Sequence, residues 1–240
     1  MPSRKEQEMR AYWNERARQN APWYVDTSLA YEEPDMDKFF ELGREIVAYS
    51  FDDVEASSRG KRFALEIGCG LGRICLALAD RYDRVLGIDI SPEMGMQARS
   101  LVKEPRVSFA IGDGSSLGLV KTASVDAVYS FTVFQHIPSL KVITNYIQEA
   151  GRVLAPGGLF VFQWNNSGGS IWWAVRRRLI GALRSLGISR EVHGRDDPAF
   201  LGSRLSIRRV RAALQRGGMD LVQTKNGGTL YAFAWAVRRP

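Results

Sequence analysis

The fold is decided by the stretch Phe63-Ala64-Leu65-Glu66-Ile67-Gly68-Cys69-Gly70-Leu71-Gly72-Arg73. The apolar run over 63–67 predicts a short buried strand, and a helix is predicted from about 71 to 81. Glycines between these two elements permit a tight turn and let a ligand lie against bare backbone. The helix directs its first amide groups at that ligand. The stretch therefore predicts a strand, a ligand-binding loop and a helix in succession.

Short apolar runs and amphipathic segments keep alternating downstream of this unit. Further strands are predicted at residues 84–89, 107–111, 125–130 and 159–164. A helix is predicted to start at Ser91-Pro92-Glu93, with the serine as its N-cap, and another from about Ser139 to Leu154. Alternation of this kind requires right-handed crossovers, which produce a parallel sheet covered on both faces.

The end of the chain follows a different pattern. Two strands are predicted at 219–224 and 229–237, and Asn226-Gly227-Gly228 joins them as a tight hairpin connection. The fold class is therefore α/β, with seven strands in a mostly parallel sheet that ends in a C-terminal antiparallel hairpin.

Two helices are predicted ahead of the sheet, at 4–19 and 35–50, and Pro22-Trp23-Tyr24 marks a loop between them. These helices form an N-terminal helical cap over residues 1–58. Residues 59–240 then make up the main domain.

A helical insertion is predicted after the fifth strand, at 165–203. Between Ile171 and Leu186 its apolar residues would form one stripe on a helix, with arginines mostly opposite. Such a stripe is compatible with core packing, with a lid over an apolar or anionic acceptor, or with contact at a membrane surface. As a lid, the insertion would bring Trp172 to the acceptor.

Composition limits the class of protein and its location. The chain has 240 residues, 45% hydrophobic and 25% charged, which is typical of an ordinary globular protein. It contains no run of about 18 apolar residues that could span a membrane. Its charged N-terminus lacks the apolar core of a signal peptide. Cys69 and Cys75 are its only cysteines, which excludes a disulfide framework and suits a reducing compartment, so we expect a cytoplasmic protein.

The net charge of +7 is distributed unevenly. Six arginines lie between 176 and 195, and five more lie between 204 and 216. They form either solvated helix faces or a surface that attracts an acidic substrate, a nucleic acid or an anionic membrane.

The ligand of the glycine loop is indicated by residue spacing. Asp89 ends the second strand, at the place where a carboxylate accepts hydrogen bonds from the ribose hydroxyls of an adenosine. A dinucleotide-binding loop would have its third glycine where Arg73 stands. Glu66, just before the loop, is unfavourable beside a pyrophosphate and acceptable beside an ammonium or sulfonium group. The pattern favours an adenosine with a cationic tail, and a nicotinamide oxidoreductase remains the alternative.

At this point the chain resembles the class I S-adenosylmethionine (SAM)-dependent methyltransferases, over roughly residues 60–165. Leu154-Ala155-Pro156-Gly157-Gly158 is similar to the family's turn before its fifth strand. The resemblance implies a Rossmann-like fold, SAM as cofactor, S-adenosylhomocysteine (SAH) as product and no metal. By position it assigns ribose binding to Asp89, packing on adenine to Ile90 and contact with the adenine amine to Asp113. The candidate cofactor-binding residues are Glu66, Gly68, Cys69, Gly70, Arg73, Asp89, Ile90, Asp113, Gly114, Ser130 and Phe131.

Catalysis requires an aligned nucleophile and, for an oxygen acceptor, removal of a proton. The segment after the fourth strand contains His136, a possible general base that could instead order the loop or contact the cofactor. Tyr12, Trp13 and Gln135 are candidates for the acceptor side, together with Trp172. A metal site is not expected, since no carboxylate accompanies the asparagines after strand five.

The resulting hypothesis is methyl transfer to a small-molecule acceptor that is anionic or partly apolar, with an oxygen acceptor favoured. An RNA methyltransferase is disfavoured because no appended binding module is evident, and a non-catalytic SAM-binding protein is the third alternative. Nucleic acid is therefore not an expected partner, and the oligomeric state is left open.

Overall fold

The protein contains one seven-stranded sheet, in a computed structural model that describes residues 4–51, 60–167 and 202–240. Its strand order is β3-β2-β1-β4-β5-β7-β6. The strands are β1 (Phe63–Ile67), β2 (Arg84–Asp89), β3 (Val107–Ile111), β4 (Val125–Ser130), β5 (Leu154–Trp164), β6 (Met219–Lys225) and β7 (Ala232–Arg238). The first five pair in parallel, and β7 pairs antiparallel with both β5 and β6. The predicted α/β fold with a closing antiparallel hairpin is confirmed.

Helices cover both faces of this sheet. They are α1 (Arg4–Val25), α2 (Met36–Phe51), α3 (Arg73–Ala79), α4 (Pro92–Leu101), α5 (Leu140–Val153) and α6 (Ile207–Arg216). Three helices begin with a serine N-cap. The side chains of Ser91, Ser139 and Ser206 accept the backbone N–H groups of the residues three positions later, at the N-termini of α4, α5 and α6. The Ser91 cap was predicted, Ser139 was predicted only as the approximate start of a helix, and α6 was not among the predicted helices.

The core is divided by the sheet into two layers because side chains alternate along each strand. On β5, Phe160 and Phe162 pack on one face with α5 and α6. Leu159 and Val161 pack on the other face with α2 and α3. In that second layer the indole N–H of Trp235 donates to the carbonyl of Ser50, 2.6 Å away. This bond connects the hairpin to α2 on that face of the sheet.

The prediction of a loop at Pro22-Trp23-Tyr24 is wrong, because α1 continues to Val25 through a kink at Asn20. Asn20 has extended backbone angles, and its side-chain oxygen accepts the N–H of Trp23 at 3.2 Å. It acts as the N-cap of a new helical turn, and Pro22 fits the first turn because that turn needs no proline N–H.

The hairpin and β5 differ from the prediction at their ends. β7 begins at Ala232, later than predicted, because Thr229 bonds within the turn and to Asn166. β5 already begins at Leu154, so the turn expected at 156–158 forms a bulge inside the strand.

Residues 168–201, the main part of the predicted insertion, lie outside the described residues. In the part of the chain that is described, no helix is long and apolar enough to cross a bilayer.

Candidate cofactor and acceptor site

A cavity of about 320 Å³ opens at the carboxyl ends of β1, β2 and β4. The strand order reverses between β1 and β4, which is where open α/β sheets bind their ligands. Twelve predicted site residues line it: Trp13, Glu66, Gly68, Cys69, Gly70, Arg73, Asp89, Ile90, Gly114, Phe131, Gln135 and His136.

The glycine loop needs its glycines for two different reasons. Gly68 and Gly70 have φ of 72° and 50° and line the cavity, and a Cβ on Gly68 would collide with Val133. Gly72 has φ of 83°, and a Cβ there would lie 2.7 Å from the ring of Phe109. Gly72 therefore serves the packing against β3, while Gly68 and Gly70 shape the ligand cavity.

Asp89 supplies a buried carboxylate where β2 meets the cavity. One oxygen accepts the N–H of Gly70 at 2.9 Å, and the other accepts the N–H of Ser91 at 2.8 Å. Burial raises the pKa of Asp89, and the two backbone donors oppose this effect. Each carboxylate oxygen retains a lone pair, so the group fits the two hydroxyls of a ribose.

Glu66 is buried behind the loop and pairs with a cysteine that sequence reasoning did not assign. The Cys75 thiol donates to Glu66 Oε2 at 2.8 Å. Burial raises the pKa of Glu66 to about 8, although Cys75 and Arg73 both oppose this shift. Glu66 is thus mostly protonated at neutral pH, and an ammonium group in the cavity would favour its ionised form.

Arg73 ties α3 to the residue after α1. Its guanidinium donates to the carboxylate of Asp26 and lies 5.1 Å from the ring centre of Phe39. Burial acts to raise the pKa of Asp26, but hydrogen bonds from Ser28 and Arg73 outweigh it and lower that pKa. Arg73, Asp26 and Glu66 all line the cavity. The part of the cavity lined by Arg73, Asp26 and Glu66 therefore contains a cationic group and carboxyl groups, as the carboxylate and the ammonium of an amino acid require.

The cavity wall formed after β2 and β3 is apolar. Ile90 packs beneath Gly114, where a Cβ would collide with the Ile90 side chain and where φ is 86°, so glycine is needed on both grounds. Met9 and Tyr146 also line this wall, and neither was predicted. Such a slot suits the flat face of adenine.

Asp113, expected at the adenine amine, does not line the cavity. Its carboxylate is exposed and accepts the N–H groups of Ser115 and Ser116, each at 2.7 Å. Its hydrogen bonds order the loop after β3.

Helix α1 covers the cavity. Asn14 Oδ1 accepts the Ser91 hydroxyl at 2.6 Å, and Arg10 donates to the carbonyl of Gly112 at 2.9 Å. Trp13 lines the cavity, with its ring edge-on to His136 at 5.4 Å. Tyr12 packs against Trp13 outside the lining, and Trp172 lies outside the described residues. The N-terminal helix thus packs directly on the elements that form the cavity.

The segment after β4 forms the opposite wall. Phe131, Gln135 and His136 line the cavity, as does Thr132, whose φ of 55° is uncommon outside glycine. Ser130 is fully buried and outside the lining, where its hydroxyl donates to the carbonyl of Ile67 at 3.3 Å. Ser130 therefore connects β4 to β1.

An aromatic cleft of about 290 Å³ adjoins the cavity and is lined by Glu45, Ile46, Tyr49, Phe131, Tyr231 and Phe233. Ile46, Phe131 and Tyr231 belong to both spaces. Tyr49 and Tyr231 are 47% and 46% exposed, so their rings are accessible. The ammonium of Lys225 lies 5.0 Å from the Tyr49 ring centre. Sequence reasoning missed this cleft because its residues come from three distant segments.

Within the described residues, no group of three or more histidine, cysteine, aspartate or glutamate side chains is arranged to hold a metal ion.

Comparison with known proteins agrees with this geometry. Residues 65–162 match the family described as a methyltransferase domain. Ajmaline N-methyltransferase of Rauvolfia serpentina is 34% identical over 115 residues, covering 46% of this chain and 37% of the relative. Ubiquinone biosynthesis O-methyltransferase of Xanthomonas oryzae pv. oryzae is 31% identical over 114 residues, covering 46% of each chain. The chain thus spans less than half the length of these curated relatives.

Among solved structures, magnesium protoporphyrin IX methyltransferase from Synechocystis PCC 6803, with bound SAH, superposes with a TM-score of 0.66. The two chains are 18% identical, and the match covers 98% of this chain and 99% of the other. At this identity the likeness shows a shared fold.

Proposed function

We propose that this protein is a class I SAM-dependent methyltransferase, since residues 65–162 match a methyltransferase-domain family, and that it transfers a methyl group from SAM to a small, partly apolar acceptor. The observation that carries the proposal is the composition of the cavity. A wall with both signs of charge, a buried carboxylate and an apolar slot match an amino acid, a ribose and an adenine.

In this proposal the chain's own residues hold the cofactor in an extended arrangement. Glu66 and Arg73 bind the amino-acid part, Asp89 binds the ribose hydroxyls, and Ile90 packs on the adenine. SAM supplies a methyl group whose carbon is already activated by the neighbouring sulfonium. Helix α1, with Trp13, excludes water from the cavity and orients the acceptor.

An oxygen acceptor must lose a proton, and His136 is the proposed base. It lines the cavity beside Gln135 and Phe131. The oxygen preference rests on this histidine and is the finer part of the proposal. Relatives named as an N-methyltransferase and an O-methyltransferase support a small-molecule acceptor of either kind.

The aromatic cleft supports an acceptor with a flat apolar part. Its rings continue from the cavity through Phe131 and Tyr231, so one molecule can occupy both spaces. Glu45 in the lining and Lys225 beside the Tyr49 ring place charges of both signs at the cleft, so a polar substituent on that molecule can be accommodated there. We place the reaction in the cytoplasm, since both buried cysteines are free thiols.

Thermal unfolding with SAM, SAH or NADH tests the cofactor. A ligand at about 100 times its Kd adds about 2.7 kcal/mol of stability. For a chain of this size the expected rise in Tm is about 5–10 °C with SAM and SAH and none with NADH. A rise with NADH alone would favour the nicotinamide oxidoreductase and overturn the proposal.

Transfer of labelled methyl from SAM to a panel of phenols, carboxylic acids and amines then tests the activity, with the His136→Ala variant in parallel. Turnover of a phenol that is lost in this variant supports the oxygen acceptor and the base. SAH binding without turnover of any compound would indicate a non-catalytic SAM-binding protein. Turnover of RNA that weakens steeply with added salt would indicate the RNA methyltransferase instead.

A further inference from the structure

We propose that Gln163 is a positioning residue that acts through Gln135 to hold His136 as a neutral imidazole with its proton on Nδ1. Nε2 is then the basic nitrogen of the ring. The assignment of the proton rests on hydrogen bonds alone. Its meaning for catalysis rests on the proposed function, in which His136 is the base.

The orientation of the Gln163 amide is determined by two backbone groups. Gln163 is fully buried in β5, and its Oε1 accepts the N–H of Thr132 at 3.0 Å. Its Nε2 donates to the carbonyl of Leu230. A backbone N–H can only donate and a carbonyl can only accept, so the oxygen and nitrogen of this amide cannot be exchanged.

The orientation is passed on to Gln135, which is 4% exposed. Gln163 Nε2 also donates to Gln135 Oε1 at 3.0 Å. The Gln135 Nε2 group is thereby turned toward His136, whose Nε2 lies 3.1 Å away. Because an amide NH₂ only donates, His136 Nε2 must accept, and the proton of the neutral ring is on Nδ1.

The loop that carries His136 is held from several sides. The Trp13 ring meets the imidazole at an angle of 82°. Ser203 donates its N–H to the carbonyl of Ile137 at 2.9 Å, and Gly202 lies so close to Gln135 that a Cβ there would collide with the Gln135 carbonyl. These contacts fix the position of the Gln135 amide relative to the imidazole.

The hydrogen-bond chain has a chemical consequence for the base. The Gln135 amide hydrogen that faces Nε2 places the lone pair of the neutral ring on that nitrogen. The Gln135–His136 hydrogen bond must break before an acceptor hydroxyl can donate to Nε2, and the hydroxyl then passes its proton to that nitrogen. Gln163 thus determines which nitrogen reacts without contacting the acceptor.

The proton can be located by ¹⁵N NMR. His136 and His193 are the only histidines, so a His193→Gln background leaves one labelled imidazole. The spectrum is recorded about 1.5 pH units above the ordinary histidine pKa of about 6.5. We expect a pyrrole-type signal from Nδ1 and a pyridine-type signal from Nε2. The reverse pattern would overturn the proposal.

Two variants test the hydrogen-bond chain. Gln135→Glu changes the donor to an acceptor, so we expect a proton on Nε2, as the other tautomer or as the imidazolium. Gln163→Met removes the anchor, and we expect a mixture of tautomers. An unchanged pattern in a folded Gln135→Glu protein would overturn the proposal, whether or not the Gln163 variant folds.

Turnover separates this proposal from the proposed function. General base catalysis contributes about 10²- to 10⁴-fold, so Gln135→Glu should lower kcat about 100-fold if His136 is the base. A wild-type NMR pattern as expected, together with full activity of His136→Ala, would remove the base role and leave the tautomer assignment standing. Loss of activity in His136→Ala together with the reverse NMR pattern would support the base role and overturn the tautomer assignment.

Discussion

At the scale of single residues, the site depends on carboxyl groups held away from water. Glu66 and Asp89 both line the cavity, and burial raises the pKa of each. They differ in their partners, since Glu66 is bonded by a thiol and Asp89 by two backbone N–H groups. We therefore expect Glu66 to affect how stability depends on pH and Asp89 to affect the affinity for the ligand.

Glu66 should make the protein less stable as the pH rises. Its pKa is about 8 in the folded protein and 4.5 in an unperturbed chain. Because the folded-state value is raised, the stabilising contribution is complete below about pH 4.5 and is lost as the pH rises through 8. We expect the urea unfolding free energy of the wild type to fall between about pH 5 and 8 relative to Glu66→Gln, which does not titrate there. A constant difference between the two proteins over this range would contradict the prediction.

Asp89→Asn should weaken SAH binding about 10- to 100-fold by calorimetry, since hydrogen bonds to a charged group contribute about 1.5–3 kcal/mol. Asp113→Asn is the matched control. Its carboxylate bonds to Ser115 and Ser116 outside the cavity lining, so we expect little change in affinity. An equal loss of SAH affinity in both variants would indicate that Asp113 contacts the adenine, as the family resemblance implies.

At the scale of elements, the close approach of α2 to α3 positions the start of the helix behind the glycine loop. Gly43 on α2 lies against the carbonyl of Arg73, and a Cβ there would be 2.7 Å from that oxygen. Backbone atoms cannot move aside as a side-chain end can, so one of the two helices must shift.

Gly43→Ala should therefore destabilise the protein by about 1–2 kcal/mol, because overpacking outweighs the gain in helix propensity. Gly227→Ala in the hairpin is the control, since nothing lies within 4 Å of its Cβ position. We expect that variant to remain within about 0.5 kcal/mol of the wild type. Equal unfolding free energies for the two variants in urea would show that α2 and α3 tolerate a wider separation.

At the scale of the whole molecule, the cavity is assembled from segments far apart in the chain. Helix α1, the loops after four parallel strands and Tyr231 of the hairpin connection all contribute to its lining. The predicted insertion begins and ends beside these segments. Leu205 and Asn165 are joined by a 3.0 Å backbone hydrogen bond, and Gly202 lies against Gln135. We propose that the insertion acts on the acceptor and not on the cofactor.

Replacing residues 170–200 with a short glycine-serine linker tests this proposal, because the paired flanks need only a short connection. We expect SAH affinity to stay within about twofold and methyl transfer to be lost, since the residues that hold the cofactor lie elsewhere. Trp172→Ala in the full chain is the milder companion variant. Loss of SAH binding in the deletion variant would assign the segment to the cofactor side or to the core.

The order of the strands, five of the six described helices, the glycine loop and the position of Asp89 could all be predicted from the amino-acid sequence. These features are local: apolar periodicity defines each strand, and the residue that ends a parallel strand lies at the ligand-binding edge. Pro22 was the local signal that was misinterpreted. It predicted a loop, but proline is compatible with the first turn of the new helix that begins after the kink at Asn20.

The folded chain was needed to show which of those residues line the cavity and which groups form hydrogen bonds with them. In the folded chain Asp113 and Ser130 lie outside the lining, burial raises the pKa of Glu66, and hydrogen bonds connect Gln163 to His136 through Gln135. Burial and hydrogen-bond partners depend on side chains contributed by distant segments. No pattern within a single segment can specify them, and they set both the pKa of a carboxyl group and the tautomer of a histidine.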